Sequence, residues 1–219
     1  MGQLTKAKAH TRYRLADGTQ VPSVTTVLGV LAKPALYRWH NEMGLKGIDT
    51  SRYVSEVADA GSCAHHMIEC HLSGREPDLS PWSREQIDMA ENSFLSFLEW
   101  EKQHRLEVIF TETPLVSEQY RYGGTVDCYC RIDGVPTILD LKTSARIYET
   151  HLIQVAAYRQ LVQEAGHPVE AVRILQIGRD ETEGWTERTL TGKEIDLYWR
   201  AFRLCRELYD VMQAIRRCA

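Results

Sequence analysis

Two aspartates and a lysine in the middle of the chain have the residue types and spacing of a hydrolytic site. Asp127 and Asp140 lie thirteen residues apart, and Lys142 follows Asp140 on the next alternate position. The Asp133-Gly134 turn signal between them predicts two paired strands, which would bring the three side chains together. Two carboxylates can hold a hard divalent cation, and an ammonium group beside them can act on the water that attacks a phosphodiester.

The residues around Asp140 weigh against an ordinary surface ion pair. An Asp-X-Lys sequence on a strand is, by itself, more often a solvated edge than a catalytic site. Here Ile138, Leu139 and Leu141 predict a strand that is buried on both faces. Burying Asp140 and Lys142 in such a strand costs free energy unless a site compensates for it, so we interpret this segment as a candidate active site.

The elements that position these residues predict an α/β fold with a central mixed sheet flanked by helices and a helical N-terminal region. A small hairpin is expected around Asp17-Gly18, and capping boxes are expected at Ser83 with Gln86 and at Thr191 with Glu194. The predicted helices are 23–31, 34–43, 53–72 with a break near Gly61, 83–104, 148–165 and 191–217, and the predicted strands are 106–114, 119–132, 137–142, 169–178 and 185–190.

Four segments carry a family resemblance, and they occur in the family's order. They are GSCAHHMIE at 61–69, GTVD at 124–127, ILDLK at 138–142 and QVAAY at 154–158. Together they resemble the motifs of the PD-(D/E)XK nuclease superfamily in its RecB-like, lambda-exonuclease-like branch, and residues 17–39 are similar to the opening of phage-encoded members. Val126 stands where the superfamily name has proline.

The resemblance implies one nuclease domain with a restriction-endonuclease-like core over residues 1–219. Within it, residues 1–52 form a basic N-terminal segment, residues 53–190 the catalytic core and residues 191–219 a C-terminal helix. Residues 1–52 hold eight Lys or Arg and three Asp or Glu, a net charge of +5, so the rest of the chain carries −9 of the total −4. This segment could contact phosphates, although a basic solvated face explains the same charges equally well.

The metal ligands expected from residue type are the carboxylates of Asp127 and Asp140 and the backbone carbonyl of Leu141, which suit Mg²⁺ or Mn²⁺. Lys142 would orient or deprotonate the attacking water and stabilise the developing charge. The resemblance adds His65, because the family's helix carries a metal-binding histidine at this position. Outside that resemblance, a lone helical histidine is more often structural.

The resemblance also implies that Gln154 and Tyr158, one helical turn apart, lie beside the active site and contact DNA or a catalytic group. Ordinary helix packing is the alternative for this pair.

Four further residues are weaker candidates for supporting roles. Glu69 follows His65 by one helical turn and could orient it or bind a second ion. Glu118 could add a carboxylate to the metal site. Thr143 and Ser144 could hydrogen-bond a phosphate of the DNA.

Composition limits the classes of protein to which the chain can belong. The chain has 219 residues, 43% of them hydrophobic, and shows neither a membrane-spanning apolar run nor a secretory signal. We therefore expect a protein without membrane contact, located in the cytoplasm of a bacterium or a phage-infected cell. The six cysteines lack a C-x-x-C pair, which predicts free thiols and no iron–sulfur cluster, and the lack of a phosphate loop predicts no bound nucleotide.

The function expected from these observations is a Mg²⁺- or Mn²⁺-dependent DNA nuclease that hydrolyses phosphodiester bonds. Action as an exonuclease on DNA ends, in recombination, replication or repair, follows from the resemblance alone. DNA is the expected partner, a recombinase or single-strand annealing protein would suit such a role, and an oligomer is left open. The alternative is a catalytically weak DNA-binding or assembly module that retains the nuclease fold. A zinc hydrolase built on His65, His66 and Glu69 is disfavoured because the chain has no H-E-x-x-H motif.

Overall fold

The computed structural model describes residues 11–218 and the elements that they form. Lys6 and Lys8, which contribute to the charge of the N-terminal segment, lie outside the described residues. In chain order the elements are β1 Tyr13–Arg14, β2 Gln20–Val21, α1 Val24–Leu28, α2 Pro34–Leu45, α3 Thr50–Leu72, α4 Arg84–Glu101, β3 Leu106–Ser117, β4 Tyr122–Ile132, β5 Val135–Lys142, α5 Glu149–Glu164, β6 Ala171–Ile177, β7 Trp185–Thr191 and α6 Gly192–Cys218.

The central sheet has five strands in the order β3-β4-β5-β6-β7. All neighbouring strands are antiparallel except β5 and β6, which run parallel because α5 connects them by a crossover. Helices α1, α5 and α6 pack on one face of the sheet, and α3 and α4 cover the other. The prediction of an α/β fold with a mixed sheet between helices, preceded by a helical N-terminal region, is confirmed.

Each face of the sheet has its own hydrophobic core. One core contains Tyr122, Tyr129 and Phe202, and the other contains Phe97 and Trp100, all of them almost fully buried. All six cysteines are free thiols, and five of them are buried. No helix within residues 11–218 is both long and apolar enough to cross a membrane.

The predicted break in α3 at Gly61 is wrong, because the helix continues through this residue. A helix interior tolerates glycine at a modest cost, and packing determines the outcome here. A Cβ atom on Gly61 would lie 2.7 Å from Oγ1 of Thr143, just after β5. Glycine at this position therefore lets α3 approach the end of the strand that carries Asp140 and Lys142.

Helix ends agree with the sequence where side chains form caps. Ser83 and Gln86 form the predicted capping box, with Ser83 N 3.0 Å from Gln86 Oε1 and Gln86 N 3.3 Å from Ser83 Oγ. The α1 helix ends at Leu28, three residues earlier than predicted. At the start of α6, Thr191 is still part of β7, and Glu194 forms an ion pair with Arg188.

The predicted hairpin around Asp17-Gly18 is confirmed, and it docks on the turn side of β3 and β4. The Tyr13 hydroxyl lies 2.9 Å from Thr125 Oγ1, and the Ala16 N–H donates to Glu118 at 2.7 Å. The ring of Tyr13 lies against Gly123, where any side chain would collide with it. The hairpin therefore packs on the strand that leads to Asp127.

Candidate active site

Strand β4 is irregular at Asp127. Val126 and Tyr129 pack in the same core cluster, although residues three apart on a regular strand lie on opposite faces. The ladder between β4 and β5 ends at the pair Cys128 and Leu139 and does not continue to Asp127, the residue next to Cys128. On the neighbouring strand β3, opposite Asp127, Glu112 has a left-handed backbone with φ of 43°. The distortion turns the side chains of this region toward α3 at one edge of the site.

The Asp127 carboxylate is held in place by a backbone donor. Its Oδ2 accepts a hydrogen bond from the Leu141 N–H at 2.9 Å, where a regular ladder would have continued. The same oxygen lies 3.7 Å from His65 Nδ1 on α3. Asp127 thus joins the helix-borne histidine to the strand that carries Asp140.

Asp127, His65 and Glu112 form a cluster with the composition of a metal site. Their ligand atoms all lie within 4.8 Å of one another, and His65 Nδ1 is 3.9 Å from Glu112 Oε1. Burial lowers the pKa of His65, but the charges of Asp127 and Glu112 outweigh it, so the pKa is raised overall. The two carboxylates beside the imidazole are negative charges that a divalent cation could balance, and this donor set fits Mg²⁺ or Mn²⁺.

Asp140 and Lys142 form a buried ion pair beside this cluster. Lys142 Nζ lies 2.5 Å from Asp140 Oδ2, and Asp140 is only 1% exposed. Among the described residues, neither oxygen of Asp140 accepts a hydrogen bond of good geometry. Burial raises the pKa of Asp140 to about 6, even though the charge of Lys142 lowers it. A buried carboxylate with so little hydrogen-bond support is the kind of group that a metal ion would satisfy.

The ammonium group of Lys142 stays charged in this environment. Burial lowers the pKa of Lys142, but the carboxylates of Asp140 and Asp127 outweigh that effect, and the pKa is raised. The lysine pairs with the carboxylate of Asp140. In the protonated form it can donate hydrogen bonds and stabilise negative charge.

Gln154 and Tyr158 of α5 contact each other and lie on the side of the site opposite α3. Gln154 Nε2 donates to the Tyr158 hydroxyl at 2.7 Å. The Tyr158 ring packs over Gly124, where a Cβ atom would lie 2.6 Å from Cε1. Burial first, and then the charges of Asp140 and Asp127, raise the pKa of Tyr158, so its hydroxyl keeps its proton next to the carboxylates.

The comparisons with known proteins find a likeness in structure but none in sequence. No known sequence family matches the chain, and no curated protein matches it. The crystal structure of an alkaline exonuclease (LHK-Exo) from Laribacter hongkongensis aligns with 74% of this chain and 90% of that chain, at 8% identity and a TM-score of 0.35. The structure of LHK-Exo in complex with dAMP aligns over the same shares at 10% identity and a TM-score of 0.34. A likeness at this level carries no argument about function.

The weaker candidates lie away from the cluster of His65, Glu112 and Asp127. Glu69 forms a short ion pair with Arg75 and lies 3.9 Å from His66, so its contacts point away from His65. Glu118 is tied to the N-terminal hairpin through the Ala16 N–H and does not join the cluster.

The two hydroxyl residues after Lys142 differ in position. Thr143 is half-buried against Gly61. Ser144 is also half-buried, and its hydroxyl donates to the carbonyl of Arg146 at 2.9 Å in the loop that follows.

Sequence reasoning missed Glu112 of β3, whose carboxylate lies within 4.8 Å of the ligand atoms of His65 and Asp127. Only the register of the β3–β4 hairpin would have indicated this residue. Ser117 pairs with Tyr122, and five residues further along the antiparallel ladder Glu112 comes to lie opposite Asp127. The turn between the strands has no glycine, because Arg121 supplies the left-handed conformation with φ of 55°. Without an Asn-Gly or Asp-Gly pair, the turn and its register could not be read from the sequence.

His151 is a second residue that the sequence did not single out. It lies one turn before Gln154 on α5, and its Nδ1 accepts from the Tyr148 N–H at 3.3 Å. Burial, together with the nearby charges of Lys142 and Lys33, lowers the pKa of His151 to about 4. At neutral pH the ring is therefore uncharged and lies near the lysine of the site.

Proposed function

We propose that the chain is a divalent-metal-dependent DNA nuclease that hydrolyses phosphodiester bonds. The observation that carries this proposal is the buried Asp140–Lys142 pair next to a histidine and two carboxylates. Packing alone gives no reason to bury these charges at one end of the sheet, since each costs free energy to remove from water. A site that binds a cation and a phosphate group gives such a reason.

The residues that would hold the cation are Asp127, Glu112, His65 and Asp140, with the backbone carbonyl of Leu141 as a further oxygen ligand. When bound, Mg²⁺ or Mn²⁺ would polarise the phosphate and make water a stronger nucleophile at neutral pH.

Lys142 acts on the reacting groups through its positive charge. Because its pKa is raised, it is an ammonium at neutral pH, so it orients the attacking water by hydrogen bonding and stabilises charge on the phosphate oxygens. Asp140 holds this ammonium in position at 2.5 Å. Removing a preorganised donor of this kind typically lowers kcat by about 10²–10³.

Gln154 and Tyr158 position the substrate on the α5 side of the site. The Tyr158 hydroxyl is protonated and fixed by Gln154, so it can donate a hydrogen bond to a phosphate oxygen of the DNA. An exonuclease acting on DNA ends is the form of activity that the sequence resemblance favours.

The test is a cleavage assay on end-labelled linear duplex, linear single-stranded and covalently closed circular DNA. The wild type would be compared with Asp127→Ala and Lys142→Ala in Mg²⁺, Mn²⁺ and EDTA. We expect the linear substrates to be degraded only with metal and both variants to lose at least about 10²-fold in rate. Lys102→Ala, at an exposed lysine that ends α4, is the matched control and should cleave like the wild type.

Three outcomes separate the alternatives. Cleavage of closed circles would turn the protein into an endonuclease with the same active site. Equal rates for the wild type and Lys142→Ala would remove the catalytic role of the pair. No cleavage by a folded wild type that binds metal would favour a DNA-binding or assembly module.

A further inference from the structure

Helix α6 is apolar on two sides. Its inner face packs against the core through Ile195, Phe202 and Cys205, all of them buried. At 100° per residue, Leu197 and Leu204 lie roughly 130–150° around the helix from the centre of that inner face. A helix that only covered the sheet would be polar there.

This side instead carries a line of large exposed apolar residues, here called the outer stripe. Leu197 is 64% exposed and Leu204 is 58% exposed, and no segment of the chain between residues 11 and 218 covers them. The outer stripe consists of Leu197, Leu204, Leu208, Val211, Met212 and Ile215, whereas Ala201 between the first two packs partly against the core.

The spacing of the outer stripe is that of a helix-pairing seam. The intervals between Leu197, Leu204, Leu208, Val211 and Ile215 are 7, 4, 3 and 4 residues. This is the a/d pattern of a coiled coil, with a period of 3.5 residues, sustained over five turns. A partner that offers a flat or irregular surface would not require this repeat, whereas another helix with the same repeat would.

We propose that the outer stripe binds a second copy of this chain, so that the protein is a homodimer joined through α6. A stripe with an a/d repeat is complementary to itself, as a two-fold symmetric interface requires. The exposed apolar surface of the stripe is on the order of 500–600 Å², which is at the upper end for the largest apolar patch on a typical monomer and is most of the roughly 800 Å² per partner of a stable interface.

The charges beside the outer stripe agree with a self-partner. Arg200 and Glu207 occupy equivalent flanking positions, seven residues apart, and have opposite signs. A strongly basic or acidic partner, such as nucleic acid, would meet repulsion from one of them, whereas a second copy brings the same mixture of signs. None of the residues of the candidate active site lies on α6, so the dimer does not depend on the proposed function.

The test is the mass of the full chain in solution, measured by sedimentation and light scattering from about 1 to 100 µM, a range that covers moderate dimer affinities. A reductant keeps Cys218, which is exposed, from linking copies covalently. We expect twice the 25.1 kDa of one chain for the wild type. The double variant Leu204→Glu with Leu208→Glu should have the mass of one chain, with dimer affinity reduced at least tenfold.

Leu45→Glu, at an 81% exposed leucine on α2, is the matched control and should remain dimeric. Ile215→Glu, in the last turns of α6 and far from the residues that pack on the core, is a second variant in case the double substitution disturbs folding. Circular dichroism would check the fold of each. A wild type with the mass of one chain throughout the range would overturn the proposal, and so would folded outer-stripe variants that stay dimeric.

Discussion

Replacing Asp140 with asparagine should stabilise the metal-free protein while it abolishes activity. Burial raises the pKa of the Asp140 carboxyl from an ordinary 3.8 to about 6. A carboxyl with a raised pKa in the folded state contributes stability below pH 3.8, and this contribution is lost as the pH rises through 6. At pH 7.5 the ionised carboxylate therefore costs roughly 3 kcal/mol of folding free energy.

The attraction of Lys142 is already contained in this cost, because its charge lowers the pKa of Asp140 that burial raises. The neutral asparagine amide takes the place of the protonated carboxyl, so we expect the variant to be more stable by about 2–3 kcal/mol at pH 7.5. For a chain of this length that is an increase in Tm of about 4–12 °C.

The assay is thermal unfolding followed by circular dichroism in EDTA at pH 4, 5.5 and 7.5. The gain should be largest at pH 7.5 and should vanish near pH 4, where the wild-type carboxyl is protonated. Adding Mg²⁺ should raise the Tm of the wild type more than that of the variant, since the cation binds only the folded site. Asp88→Asn, in an exposed pair with Arg84, is the control and should change the Tm little at any pH.

Two results would refute this reasoning. A variant less stable than the wild type in EDTA at pH 7.5 would mean that the Asp140 charge is well compensated in the folded protein. A gain of equal size at pH 4 and pH 7.5 would mean that ionisation of the carboxyl is not its cause.

Two further predictions follow from the site. Gly61→Ala should lower the free energy of unfolding in urea by about 1–3 kcal/mol, because its Cβ would lie 2.7 Å from Thr143 Oγ1, and adding Thr143→Ala should restore most of the loss. Glu112→Gln should raise the Mg²⁺ concentration for half-maximal cleavage at least about tenfold, whereas Glu69→Gln, whose carboxylate pairs with Arg75, should leave it near the wild-type value. If Glu69→Gln instead raised this Mg²⁺ concentration more than Glu112→Gln, the carboxylate ligand would lie on α3 and not on β3.

The sequence predicted the parts of the site that depend on local patterns. The Asp133-Gly134 turn fixed the pairing of β4 with β5, and alternation along β5 correctly placed Asp140 and Lys142 on the same face. The apolar neighbours of Asp140 correctly indicated burial. These features follow from strand periodicity and turn chemistry, which operate over a few residues.

Side-chain contacts that depend on other elements of the fold could not be predicted from the sequence. Glu118 was expected near the metal, but its carboxylate accepts from the Ala16 N–H, over one hundred residues earlier in the chain. Glu69 was expected to orient His65 or bind a second ion, but its carboxylate pairs with Arg75 and lies near His66 and Cys70, not near His65. Each side chain had several candidate partners within reach of its element, and only the packing of the elements decides among them.

The docking of the N-terminal hairpin has a consequence for the order of folding. Tyr13 bonds to Thr125, and Ala16 to Glu118, across sequence separations of 112 and 102 residues. During synthesis, the hairpin leaves the ribosome long before β3 and β4 exist, and closing so long a loop carries an entropic cost. The apolar side chains of Tyr13, Leu15 and Val21 therefore remain without their binding surface until the β3–β4 hairpin has formed, which makes hairpin docking a late event in folding.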